Sequence, residues 1–208
     1  STPSNSSAAS DVYKRQDLAM IMYRQTKRFK IPYTFAEVVS VEKLAEEHFL
    51  IHTTDGDYEA KRVIWAAGTI AKLLNAKNEQ EFVGRGISYC AICDGSFHEK
   101  QDVVVIGGGN SALEEALYLA KICNKVTIIT RGHQFRADKV LMEKARNNEK
   151  IVLIEHHETI SFDGSTLLEK VVIRDRDTGQ ITELSARGAF IYIGFTPSST
   201  CLLYTSDA

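Results

Sequence analysis

The sequence predicts an α/β fold in which a parallel sheet with crossover helices is joined to a smaller β-meander. Short apolar runs of strand length alternate with helical segments through the second half of the chain, which is the pattern of a parallel sheet. A glycine-rich turn joins the first of these strands to the following helix. In the first half, β-rich runs lie between turn residues. These features together predict two structural parts within one chain.

The composition is that of a folded domain, because 44% of the 208 residues are hydrophobic and 25% are charged, which excludes a disordered chain. The 25 basic and 27 acidic residues give a net charge of −2, so electrostatics give no reason to expect binding to nucleic acid or to an anionic membrane. No apolar run approaches the roughly 20 residues that a membrane helix needs, and the start of the chain has no signal-peptide core. The length allows one or two domains. The chain has four cysteines and a single C-x-x-C pair, whereas a disulfide-scaffold secreted protein would carry many more in a shorter chain, so we expect a cytoplasmic protein.

Both ends of the chain differ in character from the rest. Residues 1–16 are small and polar without a periodic pattern, and both this segment and the final CLLYTSDA resemble translated sequencing-adapter read-through. We expect residues 17 to about 200 to be the natural part, with 1–16 and the residues from about 201 as non-native tails. The alternative is a genuine disordered tail.

The first part begins with a predicted helix over 17–30, whose apolar residues recur at steps of three and four. Asp55-Gly56 is a strong hairpin signal between two of the β-rich runs. The last run ends in an apolar stretch, which predicts a buried strand with Trp65 in the core of the meander. Residues 69–86 are polar and irregular and are predicted to be a linker. The predicted strands cover 33–41, 48–54 and 57–67.

The second part alternates strands and helices and shows no internal repeat. A hairpin that turns at 177–180 interrupts the alternation before the last strand. The predicted strands cover 102–106, 125–130, 151–155 and 189–194, the helices 111–122 and 137–148, and the hairpin 167–175 with 181–185.

The glycine-rich turn has the residues that a dinucleotide requires. Gly107 allows a tight turn, Gly109 lets the backbone approach a pyrophosphate, and Ala112 lets the helix pack close to the strand. Free N–H groups of the first helical turn would face the phosphates, and Ser111 with Glu114 fits a capping box. A Rossmann-like domain that binds NAD(P) is therefore predicted. The alternative is a glycine turn in a domain without a ligand. The loop comprises Gly107, Gly108, Gly109, Asn110, Ser111 and Ala112.

The end of the second strand distinguishes the two nicotinamide cofactors. An acidic residue there would bind the ribose hydroxyls of NAD, whereas arginine suits a 2′-phosphate. This chain has Thr130 and Arg131 at that place, followed by Arg136. Because guanidinium groups bind phosphate with two parallel hydrogen bonds, NADPH is predicted. The alternative is two solvated arginines on a loop.

Cys90 and Cys93 form a C-x-x-C pair followed by Asp94, just before the first strand of the predicted parallel sheet. In a helical turn this spacing brings both sulfurs within disulfide reach, and N–H groups at the helix start would favour a thiolate on the first sulfur. Asp94 could donate or accept a proton. Zinc would need four ligands, and no second C-x-x-C or suitably spaced histidine pair exists, so no metal site is expected. An inert buried pair is the other alternative.

A dithiol pair and a nicotinamide site in one domain need an electron carrier between them, such as a flavin. The sequences GISYCAICDG at 86–95, VIGGGNSA at 105–112 and EEALYL at 114–119 resemble bacterial-type, low-molecular-weight thioredoxin reductase, a class II pyridine nucleotide-disulfide oxidoreductase. EVVSVE at 37–42 and IWAAG at 64–68 resemble segments of its FAD domain. The resemblance spans residues 17 to about 200.

The resemblance implies a homodimeric cytoplasmic flavoenzyme whose NADPH domain, residues 87–196, is inserted into an FAD domain. Residues 17–86 would be a partial FAD-binding domain, and 197–208 a truncated end. Electrons would pass from NADPH to FAD, then to the disulfide, then to thioredoxin. The NADPH domain would swing about swivels near 68–86 and 194–197.

The same resemblance implies roles for individual residues. Cys93 would lie against the flavin, Cys90 would attack the disulfide of the partner, and Asp94 would be the acid. Three residues of the first part would contact FAD, namely Val38, Ala67 and Gly68.

Two departures from the family pattern stand out. The glycine-rich FAD loop near the start and the segment after Pro197 are missing, so the chain resembles a central fragment that we expect not to hold FAD firmly. The family usually has His-Arg-Arg where this chain has Thr130-Arg131-Gly132. Alternatives are a relative that uses NADH or ferredoxin or that serves a peroxiredoxin, and a non-catalytic nucleotide-binding module.

Overall fold

The computed structural model describes residues 7–205, which form two compact units. The first unit runs to Ile70 and resumes at Pro197, and the second is Ala71–Thr196. The chain thus passes between the units at two points, and both fall within the segments predicted as swivels. The functional assignment of the two parts and the swinging motion stay predictions. Among the described residues, no helix combines the length and the apolar character that crossing a membrane requires.

The first unit contains a helix and a β-meander. The strands pair antiparallel in chain order, and the predicted hairpin at Asp55-Gly56 is confirmed, with Gly56 at a φ of 127° and Thr53 opposite it. Within the described residues of this unit, the elements are α1 (Ser7–Arg28), β1 (Val38–Ala45), β2 (His48–Thr53), β3 (Gly56–Ala60) and a 3₁₀ helix (Thr200–Thr205).

Three expectations for this unit were wrong. The helix begins at Ser7 rather than at 17, so it includes much of the segment expected to be an unpatterned tail; residues 1–6 lie outside the described residues. Strand β1 begins at Val38 rather than at 33. Residues 62–67 form no strand, and Ile64 is 93% exposed, because no described strand pairs with this apolar run. Trp65 donates from Nε1 to the carbonyl of Ser198 at 3.0 Å.

The second unit contains the predicted parallel sheet. Its order among the described strands is β5 (Ile87–Ser88), β12 (Gly188–Ile191), β6 (Asp102–Ile106), β7 (Lys125–Ile129) and β8 (Ile151–Ile154), and every neighbouring pair is parallel. Helix α4 (Asn110–Leu119) connects β6 to β7 and α5 (Lys139–Arg146) connects β7 to β8, as the alternation predicted. The remaining elements are β4 (Thr69–Ala71), α2 (Glu79–Phe82), α3 (Ala91–Asp94), β9 (His157–Gly164), β10 (Leu168–Asp175), β11 (Ile181–Ser185) and β13 (Phe195–Pro197).

Both faces of the parallel sheet are buried. Successive residues of a strand point to opposite faces, so each strand contributes side chains to both sides. Val103 and Val105 of β6 pack with α4 and α5, where Leu113 is fully buried. Val104 and Ile106 of the same strand pack on the other face. That second face is covered by the antiparallel sheet β11-β10-β9. Continuous apolar character in β6 therefore reflects two cores rather than one.

The second core also explains two features that the sequence prediction missed. Strand β9 carries several polar residues, and only Phe162 in it is fully buried. The strand therefore shows little alternation of apolar and polar residues in the sequence. The segment predicted as an irregular linker packs here, with Glu79 and Phe82 buried. Phe162 N–H donates to the Lys77 carbonyl at 3.0 Å. The second compact unit begins at Ala71 and thus includes this segment, while the predicted start of the NADPH domain at residue 87 stays a prediction.

Candidate functional site

Cys90 and Cys93 are joined in a disulfide at the start of the short helix α3. Their Cα atoms are 5.3 Å apart and the sulfurs are bonded at 2.07 Å. Cys90 is the residue before the helix, and its backbone is extended, while Cys93 lies in the first turn. Both side chains are half-buried. The spacing prediction is therefore confirmed: a helical turn brings the two sulfurs together.

The helix start also polarises the first sulfur. The Cys93 N–H group donates a hydrogen bond to Cys90 Sγ at 3.2 Å. When the disulfide is reduced, this donor favours negative charge on Cys90, because N–H groups at a helix start stabilise a thiolate. The two sulfurs are thus chemically unequal, and Cys90 has the environment of a nucleophile.

Asp94 is connected to the disulfide segment through Ser88. The Ser88 hydroxyl donates to Asp94 Oδ2 at 2.6 Å and accepts from the Cys90 N–H group at 3.0 Å. Ser88 is buried at the end of β5, and Asp94 ends α3. The arrangement orients the half-buried carboxylate in the same turn as the two sulfurs, where it can exchange a proton.

Two tyrosines, neither of them anticipated from the sequence, hold the disulfide segment. The Ala91 N–H group donates to the Tyr192 hydroxyl at 2.7 Å. The Tyr89 hydroxyl donates to Glu79 Oε1 at 3.2 Å, and Glu79 is 2% exposed. Burial raises the pKa of each phenol to about 12, and for Tyr89 the neighbouring Glu79 charge adds to the rise. Both hydroxyls therefore stay protonated at neutral pH. In the sequence, Tyr89 is marked only by its place before Cys90, and Tyr192 only by its place in the last apolar strand.

The glycine loop follows β6 in the same unit. Gly107 has a φ of 148°, and a Cβ there would lie 2.3 Å from the Tyr192 carbonyl oxygen, so the turn requires glycine. At Gly109, by contrast, a Cβ would meet no atom of the described residues within 4 Å. Ala112 is fully buried beneath the loop. The space above Gly109 is thus open, as a phosphate site needs.

Helix α4 begins at Asn110 with Gly109 before it, and its first intrahelical bond runs from Leu113 N–H to the Gly109 carbonyl at 3.2 Å. The predicted capping box was wrong. No side chain caps this helix, because Ser111 already lies within its first turn. The N–H groups of that turn thus have no side-chain acceptor from a cap, which leaves them available to an anion together with roughly half a positive charge from the helix dipole.

The two predicted phosphate-binding arginines lie on the loop between β7 and α5, and both are exposed. Arg136 N–H donates to the Gly108 carbonyl at 2.7 Å, which fixes this loop against the glycine loop. The residues that directly follow β7 are the buried Thr130, then Arg131 and Gly132, so no carboxylate comes directly after that strand in sequence. In the described part of the chain, neither Arg131 nor Arg136 forms an ion pair between side chains. The residues present therefore fit a dinucleotide that carries an additional phosphate on its ribose.

Asn110 joins the glycine loop to the next helix. Its side-chain amide donates to Asp138 Oδ2 at 2.8 Å, and its Oδ1 accepts from the Asp138 N–H group at 2.8 Å. These two bonds hold the start of α5 beside the start of α4.

A cleft of about 550 Å³ in the second unit is lined by Asp94 and by residues that precede and follow the disulfide. Phe97 lines it and is 60% exposed, and Ile92 of α3 is 68% exposed. Arg85 and Arg187 also line it. Apolar surface and basic groups thus surround the carboxylate that adjoins the disulfide.

The three residues predicted to contact FAD lie in the first unit. Val38 opens β1 and is half-buried, whereas Ala67 and Gly68 are exposed in the irregular segment before β4. Gly68 has a φ of 71°, and its carbonyl accepts from Ser198 N–H at 3.1 Å. Their assignment to the cofactor stays a prediction.

The chain resembles known proteins along nearly its whole length. The family model described as pyridine nucleotide-disulphide oxidoreductase matches residues 2–204. The chain is 40% identical over 179 residues to the bifunctional thioredoxin reductase/thioredoxin of Mycobacterium leprae, covering 86% of this chain and 39% of that protein. It is 44% identical over 161 residues to the thioredoxin reductase of Rickettsia typhi, covering 76% and 52%.

Among solved structures, the thioredoxin reductase of Lactococcus lactis matches with a TM-score of 0.75 and 34% identity, covering 89% of this chain and 61% of that one. The chain thus spans about half the length of these relatives. With the disulfide and the glycine loop in place, the match over 2–204 leads to one conclusion: the chain belongs to the pyridine nucleotide-disulphide oxidoreductase family.

Proposed function

We propose that this chain is part of a flavin-dependent disulfide reductase that passes electrons from NADPH through FAD and the Cys90–Cys93 disulfide to thioredoxin. One observation carries the proposal: a disulfide at a helix start and an open dinucleotide-type glycine loop occur in the same compact unit. The three relatives described above are named as thioredoxin reductases, which supports the choice of partner.

NADPH is the proposed electron source because of the charges beside the glycine loop. The open approach to Gly109 and the first turn of α4 suit a pyrophosphate. Arg131 and Arg136 suit a 2′-phosphate, since a guanidinium group binds phosphate oxygens through two parallel hydrogen bonds. No acidic side chain stands at the end of β7 to favour the ribose hydroxyls of NAD.

The disulfide needs a two-electron donor, which bound FAD would supply from the nicotinamide. Val38, Ala67 and Gly68 are the proposed contacts of this chain with FAD. Because Ala67 and Gly68 are exposed and the first unit has no glycine-rich loop of its own, weak FAD binding by this chain alone stays a prediction. The homodimeric state and the cytoplasmic location also stay predictions.

The reduced pair would act on its partner in two exchanges. Cys90 thiolate attacks one sulfur of the thioredoxin disulfide, which forms a mixed disulfide and releases a thioredoxin thiolate. Cys93 thiolate then attacks Cys90 Sγ, which restores the Cys90–Cys93 disulfide and releases the second thioredoxin sulfur. Asp94 is placed to move a proton to or from these sulfurs. The Cys93 N–H bond to Cys90 favours this order of attack.

The partner would dock beside the disulfide. Ile92 and Phe97 offer exposed apolar surface there, and Arg85 offers positive charge, with Arg187 beside it at 3.7 Å from Glu169. A protein with an apolar rim and acidic groups around its own disulfide fits this surface.

The proposal is tested by mixing the dithiothreitol-reduced, desalted chain with oxidised thioredoxin and counting thioredoxin thiols. We expect two thiols to appear on thioredoxin for each chain that regains its disulfide. A reduced chain that leaves thioredoxin oxidised, while remaining folded, would refute the proposed partner.

A further inference from the structure

Three potential metal ligands meet in the second unit, outside the disulfide and the glycine loop. His133 lies on the loop after β7, His156 between β8 and β9, and Asp177 in the turn between β10 and β11. One ring nitrogen of each histidine and one carboxylate oxygen all lie within 4.8 Å of one another. Sequence spacing could not reveal this group, because each residue comes from a different segment.

The two imidazoles and the carboxylate already contact each other. His156 Nε2 is 2.9 Å from Asp177 Oδ1. The rings of His133 and His156 stack, with 3.7 Å between their centroids and 14° between their planes. His156 is largely buried, whereas the other two side chains are exposed. One fixed ligand is thus flanked by two ligands that can adjust.

Backbone hydrogen bonds hold the segments that carry these residues. His156 N–H donates to the Gly132 carbonyl at 2.9 Å, and Arg176 N–H donates to the His156 carbonyl at 3.0 Å. His156 itself has a φ of 55°, which a histidine rarely adopts. The neighbours of His133 and Asp177 are therefore bonded directly to the backbone of His156, and the group does not depend on chance surface proximity.

The ring of His156 has unused bonding capacity. Its Nδ1 is buried and has no hydrogen-bond partner within the described residues. Because no described partner fixes a proton on Nδ1 or accepts one from it, the tautomer of this ring is not set by the protein, and Nε2 beside Asp177 can present its lone pair to an ion.

We propose that His133, His156 and Asp177 bind one divalent transition-metal ion of the zinc class. Two imidazole nitrogens and one carboxylate oxygen are ligands that Zn²⁺ accepts, whereas Mg²⁺ and Ca²⁺ prefer oxygen alone. Water would complete the usual four ligands. Because zinc–ligand bonds are only about 2.0–2.2 Å long, the exposed ring of His133 leaves the stack so that its lone pair points to the ion.

The test is calorimetric titration of the untagged chain with Zn²⁺, with the disulfide intact and the other accessible thiols blocked. We expect one ion per chain. His133→Ala and Asp177→Asn should each weaken binding by about tenfold or more. His157→Ala is the matched control, because His157 is the neighbour of His156 but lies outside the cluster, and it should leave the affinity unchanged.

Two outcomes would overturn the proposal: absence of stoichiometric binding to the wild-type chain, and equal losses in the control and the cluster variants. Zn²⁺ should also raise the melting temperature of the wild-type chain, because an ion that binds only the folded state stabilises it, and the same Zn²⁺ concentration should raise that of His133→Ala by less. None of these results depends on the thioredoxin assay.

Discussion

The Ser88 hydroxyl donates a hydrogen bond to Asp94 Oδ2 at 2.6 Å, and the Ser88 hydroxyl oxygen accepts one from the Cys90 N–H group at 3.0 Å. One buried hydroxyl thus connects the backbone of the attacking cysteine to the carboxylate proposed to move its proton. The link spans the end of β5 and the whole of α3, so the acid and the sulfurs are positioned by the same turn of chain.

Asp94→Asn should slow thiol–disulfide exchange with thioredoxin by about 10²-fold or more, because the amide cannot exchange a proton with the sulfurs. Stopped-flow mixing of the reduced variant with oxidised thioredoxin measures this rate. Ser88→Ala, which keeps the carboxylate but removes its hydrogen bond, should show a smaller loss. Equal rates for Asp94→Asn and the wild-type chain would remove Asp94 from the mechanism.

Replacing both Arg131 and Arg136 by Ala should weaken NADPH binding by about tenfold or more and leave NADH binding nearly unchanged. Hydrogen bonds to charged groups contribute about 1.5–3 kcal/mol, less at exposed sites, and about 1.4 kcal/mol corresponds to tenfold. Calorimetry with each nucleotide gives the two affinities. Lys139→Ala, an exposed basic residue at the start of α5, is the control. Equal losses for NADPH and NADH would contradict the assignment of the 2′-phosphate site.

The glycine loop offers a contrast between two substitutions. Gly107→Ala should destabilise the chain by at least about 1 kcal/mol, because its φ is positive and the new methyl group would meet the Tyr192 carbonyl. Gly109→Ala should change the unfolding free energy by less than about 0.5 kcal/mol yet weaken nucleotide binding, since its methyl group would stand in the open approach. Urea unfolding and nucleotide titration separate the effects. Unaltered nucleotide affinity in Gly109→Ala would show that the phosphates bind elsewhere.

The buried phenols predict a loss of stability at high pH. Burial raises the pKa of Tyr192 from 10.0 to about 12, so the unfolded state releases this proton at lower pH than the folded state. The contribution of the neutral Tyr192 phenol to the free energy of unfolding is therefore complete below pH 10 and is lost as the pH rises from 10 to about 12. Urea midpoints measured across this range should fall less steeply for Tyr192→Phe than for the wild-type chain. Identical slopes would contradict the raised pKa.

The parallel sheet could be predicted from sequence because β6, α4, β7, α5 and β8 are local elements whose apolar runs are long and regular. Strand β9 and the segment Glu79–Phe82 could not, since they become buried only against the second face of the sheet. The apolar run at 62–67 misled the prediction in the opposite direction: its composition suits a buried strand, but no described strand pairs with it.

The candidate site likewise has one part that the sequence predicts and one part that it does not. The Cys90–Cys93 spacing and the glycine loop are local patterns, and the structure forms both the disulfide and the open turn. Tyr192 contacts Ala91 across about a hundred positions of sequence, and such a contact arises only from the order of strands β5, β12 and β6 in the sheet. The residues that orient the disulfide could therefore be identified only from the fold, whereas the reacting sulfurs could be predicted from the sequence.

Cys90 is the sulfur that we propose to exchange with thioredoxin. This proposal is tested by incubating Cys93→Ser and Cys90→Ser with thioredoxin activated as a mixed disulfide with a chromogenic thiol, and identifying the linked peptides by mass spectrometry. We expect Cys93→Ser to form a stable disulfide through Cys90, and Cys90→Ser to form little or none, while both variants retain wild-type nucleotide affinity. Linkage through Cys93 at an equal or higher rate, or through Cys201 alone, would contradict the account.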